Sequence, residues 1–175
     1  MLNRSLTKKT KLEMQSSAEA YDKALDLLNY HDFSEKAMTD RLKKKGATDE
    51  QAKEAVEKLN EYGILNEERY AERVYAAWLS KGSYGKLHLQ AELTKRSIKQ
   101  ELISTILEAF TSDLEEEHAR KAASIFLNRN KKKIALLGTK DPKIYGAASR
   151  FMVARGFSSR YVRILLEELH FDDDM

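Results

Sequence analysis

The sequence predicts an all-α protein made of three tandem three-helix repeats that form an elongated, curved array. The 175-residue chain contains one proline and seven glycines, and 34% of its residues are charged. This composition is typical of helices joined by short turns, whereas a large β protein needs more turn residues. Apolar residues recur at the helical spacing i, i+3, i+4, i+7. One sequence pattern also occurs three times along the chain.

The repeated pattern places an apolar residue three positions before a cation, which a small residue follows. A helical apolar stripe comes next, at the same register in every copy. The copies are Leu42–Leu59, Leu93–Phe110 and Met152–Leu169, and their cations and small residues are Lys45–Gly46, Arg96–Ser97 and Arg155–Gly156. The third copy follows the second at a longer distance than the second follows the first. We expect the extra residues in a connection over Asn128–Pro142, which contains Lys131–Lys133.

Residues 17–66 form the first predicted repeat, with helices Ser17–Tyr30, Ser34–Lys45 and Asp49–Tyr62. Capping boxes at Ser16-x-x-Glu19 and Thr48-x-x-Gln51 indicate two helix starts, because their side chains satisfy the first free N–H groups of a helix. Gly46 and Gly63 follow apolar runs and suit helix C-termini, where a positive φ is needed. Residues 1–16 are basic and are predicted to form a flexible N-terminal segment.

Residues 67–111 form the second predicted repeat, with helices Glu67–Lys81, Tyr84–Arg96 and Lys99–Phe110. Residues 112–175 form the third, with helices Asp113–Asn130, Pro142–Arg155 and Ser159–His170 and an acidic tail at Asp172–Asp174. Ser112-x-x-Glu115 reads as another capping box. Pro142 suits a first helical turn, where its missing N–H leaves no bond unmade.

The sequence argues against an enzyme. It contains no cysteine, which excludes disulfides, thiolate zinc sites, iron–sulfur clusters and a cysteine nucleophile. It also lacks a Gly-x-Ser-x-Gly elbow and a Walker-type phosphate loop. Glu115-x-x-His118 and Glu167-x-x-His170 have the spacing used by di-iron bundles, but such a site needs two further inward glutamates. We therefore expect no catalytic residue, no metal site and no cofactor.

The apolar runs of the sequence predict no contact with a membrane. No run approaches the ~20 residues that span a bilayer. The basic first residues lack the uninterrupted apolar stretch of a secretory signal. We therefore expect a soluble, cytoplasmic protein.

Basic residues near the ends of the predicted middle helices are the remaining candidates for function. The net charge is only +3, so the distribution of charge is more informative than its total. Lysines and arginines in a last helical turn stabilise the helix C-terminus, which explains them without any partner. Alternatively, they form a ladder of cations that matches a periodic polyanion or filament. The candidate contact residues are Lys43, Lys44, Lys45, Lys95, Arg96, Arg150, Arg155, Arg160 and Arg163.

Several runs of the sequence resemble one known family. The run Leu59-Asn-Glu-Tyr-Gly-Ile-Leu-Asn-Glu-Glu-Arg-Tyr-Ala71 is similar to the central signature of the RecX family. Phe33-Ser34-Glu35, Leu42-x-x-Lys45-Gly46, Lys81-Gly82-x-Tyr84-Gly85 and Arg155-Gly156-Phe157-Ser158 look like parts of its repeats. Two departures concern local turns: Ser97 replaces the usual glycine of the second repeat, and Lys86-Leu87 stands where Gly-Pro is common.

The resemblance implies a bacterial, cytosolic modulator of the RecA recombinase. Family members bind the RecA–single-stranded-DNA filament, lie along its groove and lower its recombinase, ATPase and coprotease activities. They thereby modulate DNA repair, homologous recombination and the SOS response, and they are not enzymes. The expected partners are thus the RecA filament and, through it, single-stranded DNA, with weak direct DNA binding and a monomeric chain. The sequence leaves open whether inhibition acts by capping or by groove occupancy.

Two other functions are compatible with the sequence. The alternative function is a stand-alone helix-turn-helix-like nucleic-acid-binding protein, for which Arg160 and Arg163 are suitable residues. Glu50, Glu54 and Glu57 argue against it, since acids on a recognition helix repel phosphate. A helical scaffold for another protein would use the same apolar stripes and would need no DNA.

Overall fold

The structure, a computed structural model, describes residues 13–171 of the chain and the side chains of residues 13–165. This part of the chain contains helices and turns but no strand, which confirms the all-α fold. The helices are α1 (Ser17–Leu28), α2 (Glu35–Lys45), α3 (Asp49–Glu61), α4 (Glu67–Leu79), α5 (Lys86–Lys95), α6 (Gln100–Ala109), α7 (Ser112–Leu137), α8 (Pro142–Ala154) and α9 (Ser159–Phe171). The basic residues 1–12 and the acidic tail at 172–174 lie outside the described residues.

The chain divides into two compact units, Met1–Tyr70 and Ala71–Met175. In the first unit, α1 and α2 both pack on α3. Ala20 and Ala24 of α1 are fully buried, and their small side chains let α1 approach α3 closely. The apolar stripe predicted for α3 is buried throughout; its residues are Ala52, Ala55, Val56 and Leu59. Helical periodicity therefore identified the core face of this helix correctly.

The second unit has an aromatic cluster around the chain's one tryptophan and an alanine-rich helical core. Trp78 is 1% exposed, and Phe110 meets it edge-on with ring centroids 5.1 Å apart. Farther along the chain, α7, α8 and α9 pack on one another. Their shared core contains Ala119, Ala122, Ala123, Phe126, Ile144, Ala148, Met152, Phe157, Tyr161 and Leu165. Large side chains from α8 and α9 thus pack against the small residues of α7.

Helix α7 continues beyond its predicted end. The sequence predicts that it stops at Asn130 and that a solvated connection contains Lys131–Lys133, but the helix runs to Leu137. Lysine, alanine and leucine are all good helix formers, so nothing in residues 131–137 interrupts the helix. It ends at Gly138, whose φ is 84°. The extra length of the third repeat therefore lies mainly in a 26-residue helix rather than in a loop.

The predicted helix caps are correct in part. Thr48 and Gln51 form a complete capping box at α3. At α1 the Ser16 side chain accepts from Glu19 N, whereas the Glu19 carboxylate accepts from Gln15 N at 2.7 Å. The predicted box at Ser112 is wrong, because Thr111 caps α7 and Glu115 binds elsewhere.

Helix α8 begins with a local cap. The Asp141 side chain accepts from Lys143 N at 2.7 Å. Pro142 occupies the first turn, as predicted, and has no N–H to satisfy.

Each of the three turns that follow the middle helices contains one residue with a positive φ. Gly46 has a φ of 115°, Gly156 of 79° and Ser97 of 56°. Ser97 is the only non-glycine residue between residues 13 and 171 with a positive φ. Ser97 therefore keeps the positive φ of the glycines at the equivalent positions, although a left-handed conformation costs a residue with a Cβ ~1–2 kcal/mol.

Candidate functional site: the basic side chains and their neighbours

The first group of predicted contact residues lies in the last turn of α2. Lys43 Nζ is 2.8 Å from Asp49 Oδ1 at the start of α3, and the hydrogen bond with this carboxylate raises the pKa of Lys43. Lys44 and Lys45 are exposed. The Lys43 charge is therefore bound to the next helix, while its two neighbours extend into solvent.

In the second repeat the equivalent cation is bound to a carboxylate of its own helix. Arg96 caps the C-terminus of α5, and its Nε and Nη2 lie 3.1 and 2.7 Å from Glu92 Oε1. This hydrogen bonding lowers the pKa of Glu92. Lys95, one residue earlier, is exposed. The Arg96 side chain remains 41% exposed, so it is still accessible to a partner.

Arg155, the equivalent residue of the third repeat, is held by aromatic rings. Its guanidinium carbon lies 3.8 Å from the ring centre of Phe151 and 5.4 Å from that of Tyr84. Its Nε is buried and has no hydrogen-bond partner in the described part of the chain. Burial lowers the pKa of this side chain, and the nearby cation Arg129 lowers it further. Arg155 thus joins the end of α8 to Tyr84, two residues before α5, a structural role that its position in the repeat did not reveal.

The turn after α8 binds the backbone at the start of α5. Gly85 N donates to Arg155 O at 2.9 Å, and Leu87 N donates to Gly156 O at 3.1 Å. A Cβ on Gly85 would lie 2.5 Å from Gly156 O, and one on Gly156 would lie 2.2 Å from His88 N. Only glycine permits such a close approach of two backbones.

Glu115 and His118 fix the same segment from α7. Glu115 is 7% exposed, and its Oε1 accepts from Lys86 N, the first N–H of α5, at 2.7 Å. His118 Nδ1 lies 2.9 Å from Tyr84 O and donates to it, because a carbonyl can only accept. The Glu-x-x-His spacing considered for a metal therefore serves to hold the backbone before α5. Among residues 13–165 no group of three or more potential metal-ligating side chains is present.

In the first unit a second glutamate binds the first N–H of a middle helix in the same way. Glu67, at the start of α4, is 5% exposed, and its Oε2 accepts from Glu35 N at 3.2 Å. Glu35 is the first residue of α2, as Lys86 is of α5. We call Glu67 and Glu115 the clasp glutamates, because each caps the middle helix of the repeat before its own. Sequence analysis missed both, although aligning Glu67 with Glu115 across the repeats would have indicated them.

The remaining predicted residues are exposed on α8 and α9. Arg150 lies on α8, and Arg160 and Arg163 lie on the first turns of α9. Arg160 and Arg163 line one groove between α7 and α9, together with Arg120, which sequence analysis missed. The structure thus brings two of the nine predicted cations together at this groove. Whether the nine contact a filament stays a prediction.

Comparison with known proteins identifies the family of this chain. A sequence model described as the first three-helix domain of RecX matches residues 20–59. A regulatory protein RecX from Trichlorobacter lovleyi is 38% identical over 104 residues, which cover 59% of this chain and 68% of that protein. The chain belongs to the RecX family. A regulatory protein RecX from Bacillus velezensis is 30% identical over 156 residues, or 89% of this chain, and this match spans 57% of that protein.

A solved structure supports the fold. The crystal structure of RecX from Lactobacillus salivarius matches with a TM-score of 0.72 and 20% identity, covering 89% of this chain and 97% of that one. At this identity the likeness concerns the fold alone, and it agrees with the all-α helical repeats seen here. Within residues 13–171, every helix is too short or too polar to cross a bilayer.

Proposed function

We propose that this protein is a non-enzymatic regulator of RecA in the bacterial cytoplasm. In this proposal it binds the RecA–single-stranded-DNA filament as a monomer and inhibits the recombinase, ATPase and coprotease activities of RecA. It thereby modulates DNA repair, recombination and the SOS response. Membership of a family of regulatory proteins supports this function.

A cation recurs at one position of every repeat, and its two exposed copies, Lys45 and Arg96, carry the proposal. Lys45 ends α2, Arg96 caps α5 and Arg155 caps α8. A residue in the left-handed conformation follows each of them. A filament offers its partner a repeated surface, and a repeated cation is suited to its repeated phosphates and carboxylates. Lys45 and Arg96 are exposed, so they are the residues whose charge we expect to matter most.

Hydrolysis of ATP by RecA on single-stranded DNA tests the proposal. The wild-type protein should suppress hydrolysis at substoichiometric concentration. The double variant Lys45→Glu and Arg96→Glu should need at least ~10-fold more protein, because two favourable charge contacts become repulsive. The matched control, Lys36→Glu and Lys53→Glu, changes the net charge equally at two other exposed lysines and should inhibit like wild type. A folded double variant with wild-type inhibition contradicts the role of these cations.

A second candidate function is direct nucleic-acid binding through α9 as a recognition helix. The exposure of Arg160 and Arg163 on the first turns of α9 favours it. On α3, the corresponding helix of the first repeat, Glu54 accepts a hydrogen bond from Ser17, and Glu50 and Glu57 are exposed acids that would repel phosphate. Salt titration of DNA binding with and without RecA separates the functions. Strong binding to duplex DNA that RecA does not change supports the second candidate, whereas binding that RecA strengthens supports the first, which includes only weak direct binding to single-stranded DNA.

A further inference from the structure

Among the side chains that the structure describes, residues 13–165, the groove between α7 and α9 combines three arginines with one acid. Its lining residues are Glu116, Arg120, Arg160, Arg163 and Ile164, and its volume is about 440 Å³. We propose that this groove is a phosphate-binding site and that its ligand is the backbone of single-stranded nucleic acid. The assignment of the ligand as single-stranded nucleic acid rests on the proposed function. The preference for phosphate follows from the arginines that line the groove.

The described lining of the groove contains more arginines than carboxylates. Arg120 Nη2 lies 2.8 Å from Glu116 Oε1, and the Arg120 side chain is still 58% exposed. Arg160 and Arg163 form no ion pair with any carboxylate among residues 13–165. They are three positions apart on α9, so their Cβ atoms are neighbours at ~5–6 Å. The planar guanidinium groups can therefore bind the same phosphate or two adjacent ones through paired N–H donors.

The walls of the groove are fixed before any ligand binds. Tyr161 is 5% exposed, and its hydroxyl donates to Ser112 O at the start of α7 at 3.3 Å. Leu165, fully buried, packs into the core that α7 shares with α9. Because Arg160 and Arg163 flank these anchored residues, little backbone ordering is required on binding. The positive N-terminal end of α9, which begins at Ser159, adds to the field beside Arg160.

The groove is lined by exposed arginines, and this favours a polymer over a small ligand. The arginines at both walls are exposed, so the groove can accept a chain that enters and leaves it. A free oligophosphate carries the same chemistry, and the experiment distinguishes the two carriers. Ile164, half-buried in the lining, offers an apolar contact that a base can use and an oligophosphate cannot.

Binding of the full chain to a fluorescent thymidine oligomer of about 20 nucleotides, without RecA, tests the proposal. Arg160→Gln with Arg163→Gln should weaken binding about 10-fold and reduce the slope of log affinity against log salt by about 1.4, or about 0.7 per phosphate. The matched control Lys23→Gln with Lys53→Gln removes the same charge in the first unit and should change affinity less than about twofold.

A variant that removes a negative charge from the groove should change the affinity in the opposite direction. Glu116→Gln removes the one described carboxylate of the groove lining and should tighten binding about threefold, because it removes repulsion of phosphate. Its control, Glu108→Gln, changes an exposed acid on α6 and should bind like wild type. Equal losses in the arginine and lysine variants, or weaker binding by Glu116→Gln, would overturn the proposal.

Two further measurements separate the outcomes. If tripolyphosphate displaces the oligomer from wild type at phosphate concentrations where the oligomer itself binds, the site is for free oligophosphates and the nucleic-acid assignment is wrong. RecA ATPase assays on the same variants separate this inference from the proposed function. Groove-dependent DNA binding without RecA inhibition would refute the proposed function alone, whereas RecA inhibition with groove-independent DNA binding would refute this inference alone.

Discussion

Trp78 Nε1 donates a hydrogen bond to His88 Nδ1 at 2.9 Å. An acceptor nitrogen carries no proton, so His88 is neutral in the folded protein. Burial lowers the pKa of His88, Lys81 lowers it further, Glu92 opposes the shift and Arg155 adds to it. The bond joins the end of α4 to α5 within the second unit.

The pKa of His88 predicts that the second unit loses stability in mild acid. Because the folded state disfavours the protonated imidazole, its contribution is complete above the ordinary histidine pKa of about 6.5. It is lost as the pH falls from there through the lowered pKa of the folded state. Urea unfolding followed by the fluorescence of Trp78, the one tryptophan in the chain, measures this between neutral and mildly acidic pH.

His88→Leu is the control for that experiment. It removes the titrating group, so its stability should be lower at neutral pH but should depend less on pH over the same interval. An unchanged pH dependence in His88→Leu would show that another group is responsible.

The clasp glutamates should each contribute to stability. Glu115→Ala leaves Lys86 N, a part-buried donor, without its partner, so we expect a loss of ~1–3 kcal/mol in the free energy of unfolding. Glu117→Ala alters an exposed acid two positions away and should stay within ~0.5 kcal/mol of wild type. Chemical denaturation of both variants decides the matter, and equal effects would mean that the clasp bond is not stabilising.

Ser97 offers a stabilising substitution. Ser97→Gly relieves the left-handed strain at the cost of a more flexible unfolded chain, and we expect a net gain of ~0.5–1 kcal/mol. Gly46→Ser at the equivalent turn of the first repeat should lose a similar amount. Thermal unfolding of the two variants measures both changes in stability. A lower stability of Ser97→Gly than of wild type would show that Ser97 is not strained.

The close contact between Gly85 and Gly156 should not tolerate a methyl group. Gly85→Ala places a Cβ 2.5 Å from Gly156 O, and we expect a loss of ~1–3 kcal/mol from the resulting displacement. Gly63→Ala is a control for adding a methyl group at a glycine with open space around it, where only the backbone conformation opposes the side chain. Gly156→Ala combines a positive φ with a clash against His88 N. Denaturation curves should therefore show a smaller loss in the free energy of unfolding for Gly63→Ala than for Gly156→Ala.

The sequence predicted the helices well because their apolar periodicity is local. Every predicted helix is present, and apart from the end of α7 its limits lie within two residues of those observed. The end of α7 was missed because Lys131–Lys133 suits a solvated loop and an exposed helical turn equally well.

The site was harder to predict, because its residues meet through tertiary contacts. Arg120 lies opposite Arg160 only after α7 and α9 pack together. Likewise, Glu115 has an ordinary position in its own helix, and its partner Lys86 is 29 residues earlier. Residue type and spacing within one helix carry no information about such a partner. The equivalence of Glu67 and Glu115 in successive repeats is the one sequence signal that was available.

The clasp glutamates also determine where the protein can be divided. The RecX match over residues 20–59 ends before Glu67, so a fragment with those limits would lack the carboxylate that caps Glu35. A fragment of the second repeat that stops at Phe110 would lack Glu115 in the same way. Helix α8 has a local cap instead: Asp141 accepts from Lys143 N, and Pro142 has no N–H to satisfy. Autonomous pieces made of the first or the second repeat therefore overlap with the next one, because each must include the opening turn of the helix that follows it.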